Sequence, residues 1–249
     1  MEAWELLLAF AAAFVAGYLG SMLGLVLGTL RLPFIVLATG SPLVAAGTNI
    51  AISAAAAGAG GLRHAREGRV DWRVVAWIAF PSVVGAVIGA LVAGDVSDAL
   101  LYALIAAVLV WSGIDLALRP IKPHPQKHLR LGRGVGLSFS IAVLGGAVGV
   151  ILGTLRMPAL IRSVGMDVRR AAGTNLVVGF FLGVAGFTTH ALANGIDWWV
   201  LAAGLVGAIP GGWFGARATG RFSENALRLA LGVVLVVVGI AFAIEAAVR

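Results

Sequence analysis

The chain has 249 residues, 60% of them hydrophobic and 12% charged, and its 18 Lys and Arg against 11 Asp and Glu give a formal net charge of +7. A water-soluble domain carries about 25% charged and about 45–50% apolar residues, so this composition leaves too little polar surface to cover a soluble globule. The basic excess reads as loops held on the cytoplasmic side of a membrane and not as a nucleic-acid surface, and the absence of cysteine excludes disulfides and thiolate metal sites.

Glu2 and Glu5 precede the first apolar run without any Lys or Arg, the wrong charge for a secretory signal, so this run is expected to stay in the mature protein. Apolar runs bounded by charge or by Gly and Pro predict about eight spans, near residues 4–27, 43–62, 72–93, 97–118, 135–152, 171–190, 198–216 and 225–247. In the first, Gly20, Gly24 and Gly28 recur every fourth residue, the spacing of a helix face that packs closely.

The chain then reads Gly28-Thr29-Leu30-Arg31-Leu32-Pro33. An arginine at bilayer depth costs at least ~2.5–3.5 kcal/mol, so it normally turns to a bundle interior or a wet cavity. Its planar, permanently charged fork suits bidentate binding of a carboxylate, sulfonate or other oxyanion. A snorkelling arginine at a helix end is the competing assignment. Pro33 lacks an N–H and biases its predecessor away from helix, so a helix is not expected to run smoothly through the motif.

Ala46-Gly47-Thr48-Asn49 is expected at or near the start of the next helix, where Thr48 and Asn49 can cap it and its free N–H groups favour an anion. A plain cap or an interhelical hydrogen bond is the alternative. His64 is placed near a span end, facing the membrane interface, with a proton relay as its second role. Asp71 and Trp72 read as helix N-cap and interfacial anchor, and Gly85 and Gly89 as a packing pair. Residues 119–134, with Lys122, His124, Lys127, His128 and Arg130 among prolines, read as a basic linker between repeats at 1–118 and 135–249.

The second half restates the first. At an offset of 125, Gly20, Gly24, Gly28, Thr29, Arg31 and Pro33 fall on Gly145, Gly149, Gly153, Thr154, Arg156 and Pro158. At 126, Gly47, Thr48, Asn49, His64, Asp71, Trp72, Gly85 and Gly89 fall on Gly173, Thr174, Asn175, His190, Asp197, Trp198, Gly211 and Gly215. Shared apolarity does not produce matching Arg-x-Pro and Gly-Thr-Asn, so the chain reads as a duplication. Equivalent loops carry opposite charge: Arg66 and Arg69 stand against a loop without Lys or Arg at 191–197, and Asp95 and Asp98 stand against Arg217 and Arg221. That is the mark of two halves of opposite orientation, which an even count of spans allows only if one segment per half, near Gly28–Gly40 and Gly153–Gly165, does not cross fully.

A glycine-rich first helix leading to a proline, then Ala-Gly-Thr-Asn, then Gly68-Arg69-Val70-Asp71-Trp72, then Gly85-x-x-x-Gly89, resembles the TauE/SafE family of sulfite exporters, also called the toluene-sulfonate uptake permease family. The resemblance covers nearly the whole chain. It implies a polytopic inner-membrane carrier of sulfite, sulfoacetate or other organosulfonates, with export the commonest assignment and proton-motive coupling. Where the family has apolar residues before the proline, this chain has Arg31 and Arg156, which strengthens the case for an anion.

The sequence therefore predicts an all-α, polytopic membrane protein in two inverted halves, each with a broken or re-entrant segment. It is expected to be a transporter and not an enzyme. The substrate is expected to meet Arg31, Arg156, Thr48, Asn49, Thr174, Asn175, Thr29 and Thr154, with the breaks at Pro33, Pro158, Gly28 and Gly153 and a proton relay at His64 and His190. Small anions and the lipid bilayer are the expected partners, with room for a homodimer and with no cofactor, metal or nucleic acid. A passive anion channel, or a carrier of a different small organic anion, is the alternative.

Overall fold

The computed structural model describes residues 3–118, 131–218 and 224–248, and every regular element among them is helical. The first half contains α1 (Ala3–Leu23), α2 (Gly28–Thr39), α3 (Pro42–Arg66), α4 (Trp72–Ala93) and α5 (Asp98–Leu118). The second contains α6 (Leu131–Val148), α7 (Gly153–Pro158, continued by a π-helical turn at Ala159–Val164), α8 (Val168–Ala193), α9 (Trp198–Arg217) and α10 (Glu224–Val248). The proposed linker lies outside the described residues over 119–130, and α6 begins at Leu131.

About eight spans were expected. Among the described residues, six helices are long and apolar enough to cross a membrane: α1, α3, α4, α8, α9 and residues Asp98–Asp115 of α5. Helix α2 and the stretches Gly134–Val148 and Gly232–Val248 are shorter apolar helices. Large side chains such as Trp77, Phe80, Val206 and Ile240 stand exposed on the outside, a surface that suits lipid and not water.

Helix starts follow local chemistry. Asp71 Oδ1 accepts from Val74 N at 3.1 Å, and Asp197 Oδ1 from Trp199 N and Val200 N at 3.1 and 3.0 Å, so both act as the expected N-caps. Helices α3 and α8, however, are capped by Ser41 and Asp167 and not by the Thr-Asn pairs, which sit one to two turns inside. Ser41 precedes a proline at the first helical position, where a missing N–H costs nothing.

The interruption in each half also falls elsewhere than expected. Helix α1 stops before Gly24, whose φ of 68° only glycine adopts freely, and Leu25 N turns back to Gly20 O at 2.7 Å. Gly149 (φ 70°) and Val150, bonded to Gly145 O at 2.8 Å, repeat this turn after α6. Gly20, Gly24 and Gly28 therefore do not share one helix face. Helix α2 continues through Pro33, its sixth residue, at the loss of one intrahelical hydrogen bond, while α7 passes into the π-helical turn after Pro158.

Helix directions can be read from neighbours. Gly47, early in α3, lies beside His190 and Gly195 at the end of α8, and Gly61, late in α3, lies beside Val177 near the start of α8, so the two run antiparallel. Gly207, Gly211 and Gly215 of α9 meet the backbone of Phe10, Phe14 and Tyr18 in order, so α1 and α9 run parallel. Gly85 and Gly89 of α4 meet Phe139 and Val143 of α6 in the same way. A β-carbon at Gly89 or Gly215 would overlap a carbonyl of the facing helix, so both expected glycine pairs serve close packing. Helices α5 and α10 run antiparallel, with Gly113 against Gly232 and Val110 against Gly239.

Candidate functional site

Helix α2 runs back along α3: Arg31 reaches Asn49 and Ser53 near the middle of α3, while Thr39 Oγ1 bonds Ser41 O at its start. The twelve residues of α2 rise about 18 Å, roughly half a bilayer core. Arg31 therefore lies deep in the bundle and is only 1% exposed, with Arg156 at 0%. Neither snorkels to a surface.

Each guanidinium is clasped by the asparagine of the helix behind it. Arg31 Nε donates to Asn49 Oδ1 at 3.0 Å, and its Nη2 donates to Asn49 O at 3.0 Å and to Ser53 Oγ at 2.7 Å. Arg156 Nε donates to Asn175 Oδ1 at 2.8 Å and its Nη2 to Asn175 O at 3.0 Å. Neither makes an ion pair among the described residues. Two buried cations are thus held by neutral acceptors among the described residues.

The asparagines tie the two interruptions together. Asn49 Nδ2 donates to Gly28 O at 3.3 Å and across the molecule to Gly149 O at 2.8 Å. Asn175 Nδ2 donates to Gly153 O at 3.2 Å and across to Gly24 O at 2.9 Å. Each half's asparagine therefore satisfies a carbonyl that the other half's helix break has orphaned.

Thr48 and Thr174 stand slightly apart. Thr48 Oγ1 donates to Val44 O at 2.9 Å and accepts from Asp197 N at 3.1 Å; Thr174 Oγ1 accepts from Asp71 N at 2.9 Å. Each threonine pins the start of the other half's next helix. Thr29 Oγ1 is buried without a partner among the described residues, and Thr154 Oγ1 lies 3.5 Å from Ser112 Oγ. Gly28 and Gly153 begin α2 and α7, and Pro33 lies within α2.

His64 and His190 do not face the membrane interface; both are fully buried. His64 Nε2 donates to Ser21 O at 3.4 Å and His190 Nε2 to Gly146 O at 2.8 Å. His190 Nδ1 accepts from Asn194 at 3.0 Å, whereas His64 Nδ1 has no partner among the described residues. Close helix packing encloses both rings.

The end of α3 and the starts of α4 and α8 form a basic end, with Arg63, Arg66, Arg69, Arg73, Arg169 and Arg170 beside Glu67, Asp71 and Asp167; Arg217 ends α9 there. Arg63 and Arg66 lie over the Trp213 ring, and Glu67 takes bonds from both Arg63 and Arg69. Burial, and then the charges of Arg169 and Arg63, hold the Arg69 pKa below its ordinary value. The opposite end carries Asp95, Asp98, Asp197 and Glu5, without Lys or Arg among the described residues.

Sequence reasoning missed Ser53 and the carbonyls of Gly24 and Gly149. The 126-residue offset offered one signal, because it sets Ser53 against Gly179, a polar position against one with no side chain.

The family described as Sulfite exporter TauE/SafE matches residues 9–242. A probable membrane transporter protein of Xylella fastidiosa (strain 9a5c) is 29% identical over 221 residues, covering 86% of this chain and 84% of the relative. The probable membrane transporter protein ORF9 of Sinorhizobium sp is 29% identical over 225 residues, covering 88% and 83%. The probable membrane transporter protein YdhB of Bacillus subtilis (strain 168) is 25% identical over 193 residues, covering 75% and 79%. No solved structure matches the chain significantly.

Proposed function

The chain belongs to the sulfite exporter TauE/SafE family and is a multi-pass membrane transporter, and we propose that it exports small sulfur-containing anions, sulfite or organosulfonates, across the bacterial inner membrane by alternating access. The observation that carries this reading is the pair of buried guanidinium groups, without carboxylate partners among the described residues, set at crossed interruptions of the chain. Broken helices in corresponding positions of two halves are where midplane substrate sites of transporters form.

In this reading the halves are inverted repeats. The antiparallel course of α3 and α8, which the 126-residue offset sets in correspondence, supports it. So does the course of α2, which returns the chain from mid-depth to the side on which α1 began. Three crossings by α3, α4 and α5 then remain, an odd number, and the second half starts from the opposite side. An even number of spanning helices per half and opposite orientation are thereby compatible.

Charge orients the molecule. The basic end lies in the cytoplasm by the positive-inside rule, and the acidic end outside. Cytoplasmic anions are drawn to the basic end, and a membrane potential, negative inside, drives a monovalent anion outward with about 2.3 kcal/mol per 100 mV. Because the chain has no cysteine, single cysteines report directly. In intact cells an impermeant maleimide is expected to label Asp95→Cys and to leave Glu67→Cys unlabelled until the membrane is opened. The reverse pattern would sink the orientation.

Purified protein in liposomes is expected to move sulfite or methanesulfonate with saturation, and trapped anion is expected to accelerate entry of labelled anion from outside. Flux that rises linearly with concentration, without this trans-stimulation, would make the protein a passive channel.

A further inference from the structure

We infer that the anion seat lies at Arg156, in the second half alone, while Arg31 braces the first half. The inference rests on the anion-transport reading and adds which guanidinium meets the cargo. Its basis is a difference between two otherwise matching clasps. Arg31 gives Nη2 to both Asn49 O and the Ser53 hydroxyl. At the corresponding position behind Arg156 stands Gly179, so Nη2 bonds only Asn175 O, and Nη1 is buried with no partner among the described residues. A β-carbon built on Gly179 would stand 3.2 Å from Arg156 Nη2, which places the missing side chain directly against the guanidinium.

The Nη2 N–H that Arg31 gives to Ser53 finds no hydroxyl at Arg156 among the described residues; on a permanent charge in a low-dielectric interior such a donor is costly to leave unmade, and an oxyanion is the group that satisfies it. Sulfite and sulfonates present three oxygens on one sulfur, enough for one to accept from Nη1 while the others meet further donors. The neighbours at Gly179 are Val26 and Ile151, the residues of the two interruptions, so the seat lies where the halves cross. A conformational change that moves one break against the other alters access to this nitrogen first.

The test uses the full chain, purified in detergent, with sulfite and methanesulfonate as probes and binding read by tryptophan fluorescence. Gly179→Ser supplies the hydroxyl that Ser53 provides in the first half and is expected to weaken binding on the order of tenfold or more, the worth of a hydrogen bond to a charged group. Ser53→Ala is expected to weaken binding less than Gly179→Ser does. Should Gly179→Ser not yield monodisperse protein, Arg156→Lys is expected to cost more affinity than Arg31→Lys. Equal losses from the two halves, or a loss confined to Ser53→Ala, would overturn the Arg156 seat while leaving anion transport standing. A wild-type chain that neither binds nor moves either anion would instead overturn the transport reading itself.

Discussion

Replacing Arg31 and Arg156 together with alanine is expected to reduce sulfite flux in proteoliposomes to the rate of protein-free vesicles. Both side chains are buried, both carry permanent charge, and both are bonded only to neutral groups among the described residues. A hydrogen bond to a charged group contributes about 1.5–3 kcal/mol, so loss of the Arg156 contact costs about 10–10² in affinity, and loss of Arg31 unties the first half that packs behind it. The double lysine variant separates charge from geometry. Lysine keeps the positive potential but loses the planar fork, so it is expected to retain part of the flux at raised substrate concentration. Unchanged flux in a folded double alanine variant would remove the arginines from the transport path.

Much of this architecture is visible in the sequence, for physical reasons. A bilayer demands long apolar runs, so α1, α3, α4, α8 and α9 stand out by length and hydropathy alone. The capping roles of Asp71 and Asp197 follow from side chains that reach only two or three residues ahead. The recurrence of Arg31 and Asn49 as Arg156 and Asn175 also foreshadows their matching bonds.

What the sequence conceals is long-range and involves backbone. Nothing local marks Asn49 as the partner of a carbonyl 100 residues away, or Asn175 as the partner of one 151 residues away. A cap, an anion site and an interhelical bond ask for the same side chains, so Thr-Asn near a helix start leaves the three open in sequence. Ser41 and Asp167, the residues next to the first turn, take the capping role instead. The proline rule misled similarly: α2 tolerates the one hydrogen bond that Pro33 removes, and the break is made upstream at Gly24, where the backbone takes a left-handed φ. The histidines were misplaced because proximity to a span end says nothing about which helix closes over the ring.

The cross-brace leads to the second large expectation, that Asn49→Ala or Asn175→Ala each lowers the thermal midpoint of the purified protein by about 6–20 °C. Alanine at either position leaves unpaired a buried guanidinium N–H and the carbonyl that the other half's break has orphaned, Gly149 O or Gly24 O. Unsatisfied buried groups cost about 1–3 kcal/mol each, and part of that cost is relieved as the structure relaxes, so a loss of about 3–5 kcal/mol is expected. Glutamine is not expected to restore the midpoint, because one further methylene pushes the amide past carbonyls already at 2.8–3.3 Å. The clasp itself is separable from general packing by a double-mutant cycle. Arg31→Ala and Asn49→Ala share one bonded network, so their combined effect should fall short of the sum by about 0.5–3 kcal/mol. The pair Arg31→Ala and Asn175→Ala, which share no bond among the described residues, should come closer to additivity. Midpoints within about 2 °C of the wild type for both asparagine variants would mean that the two halves are held together by helix packing alone.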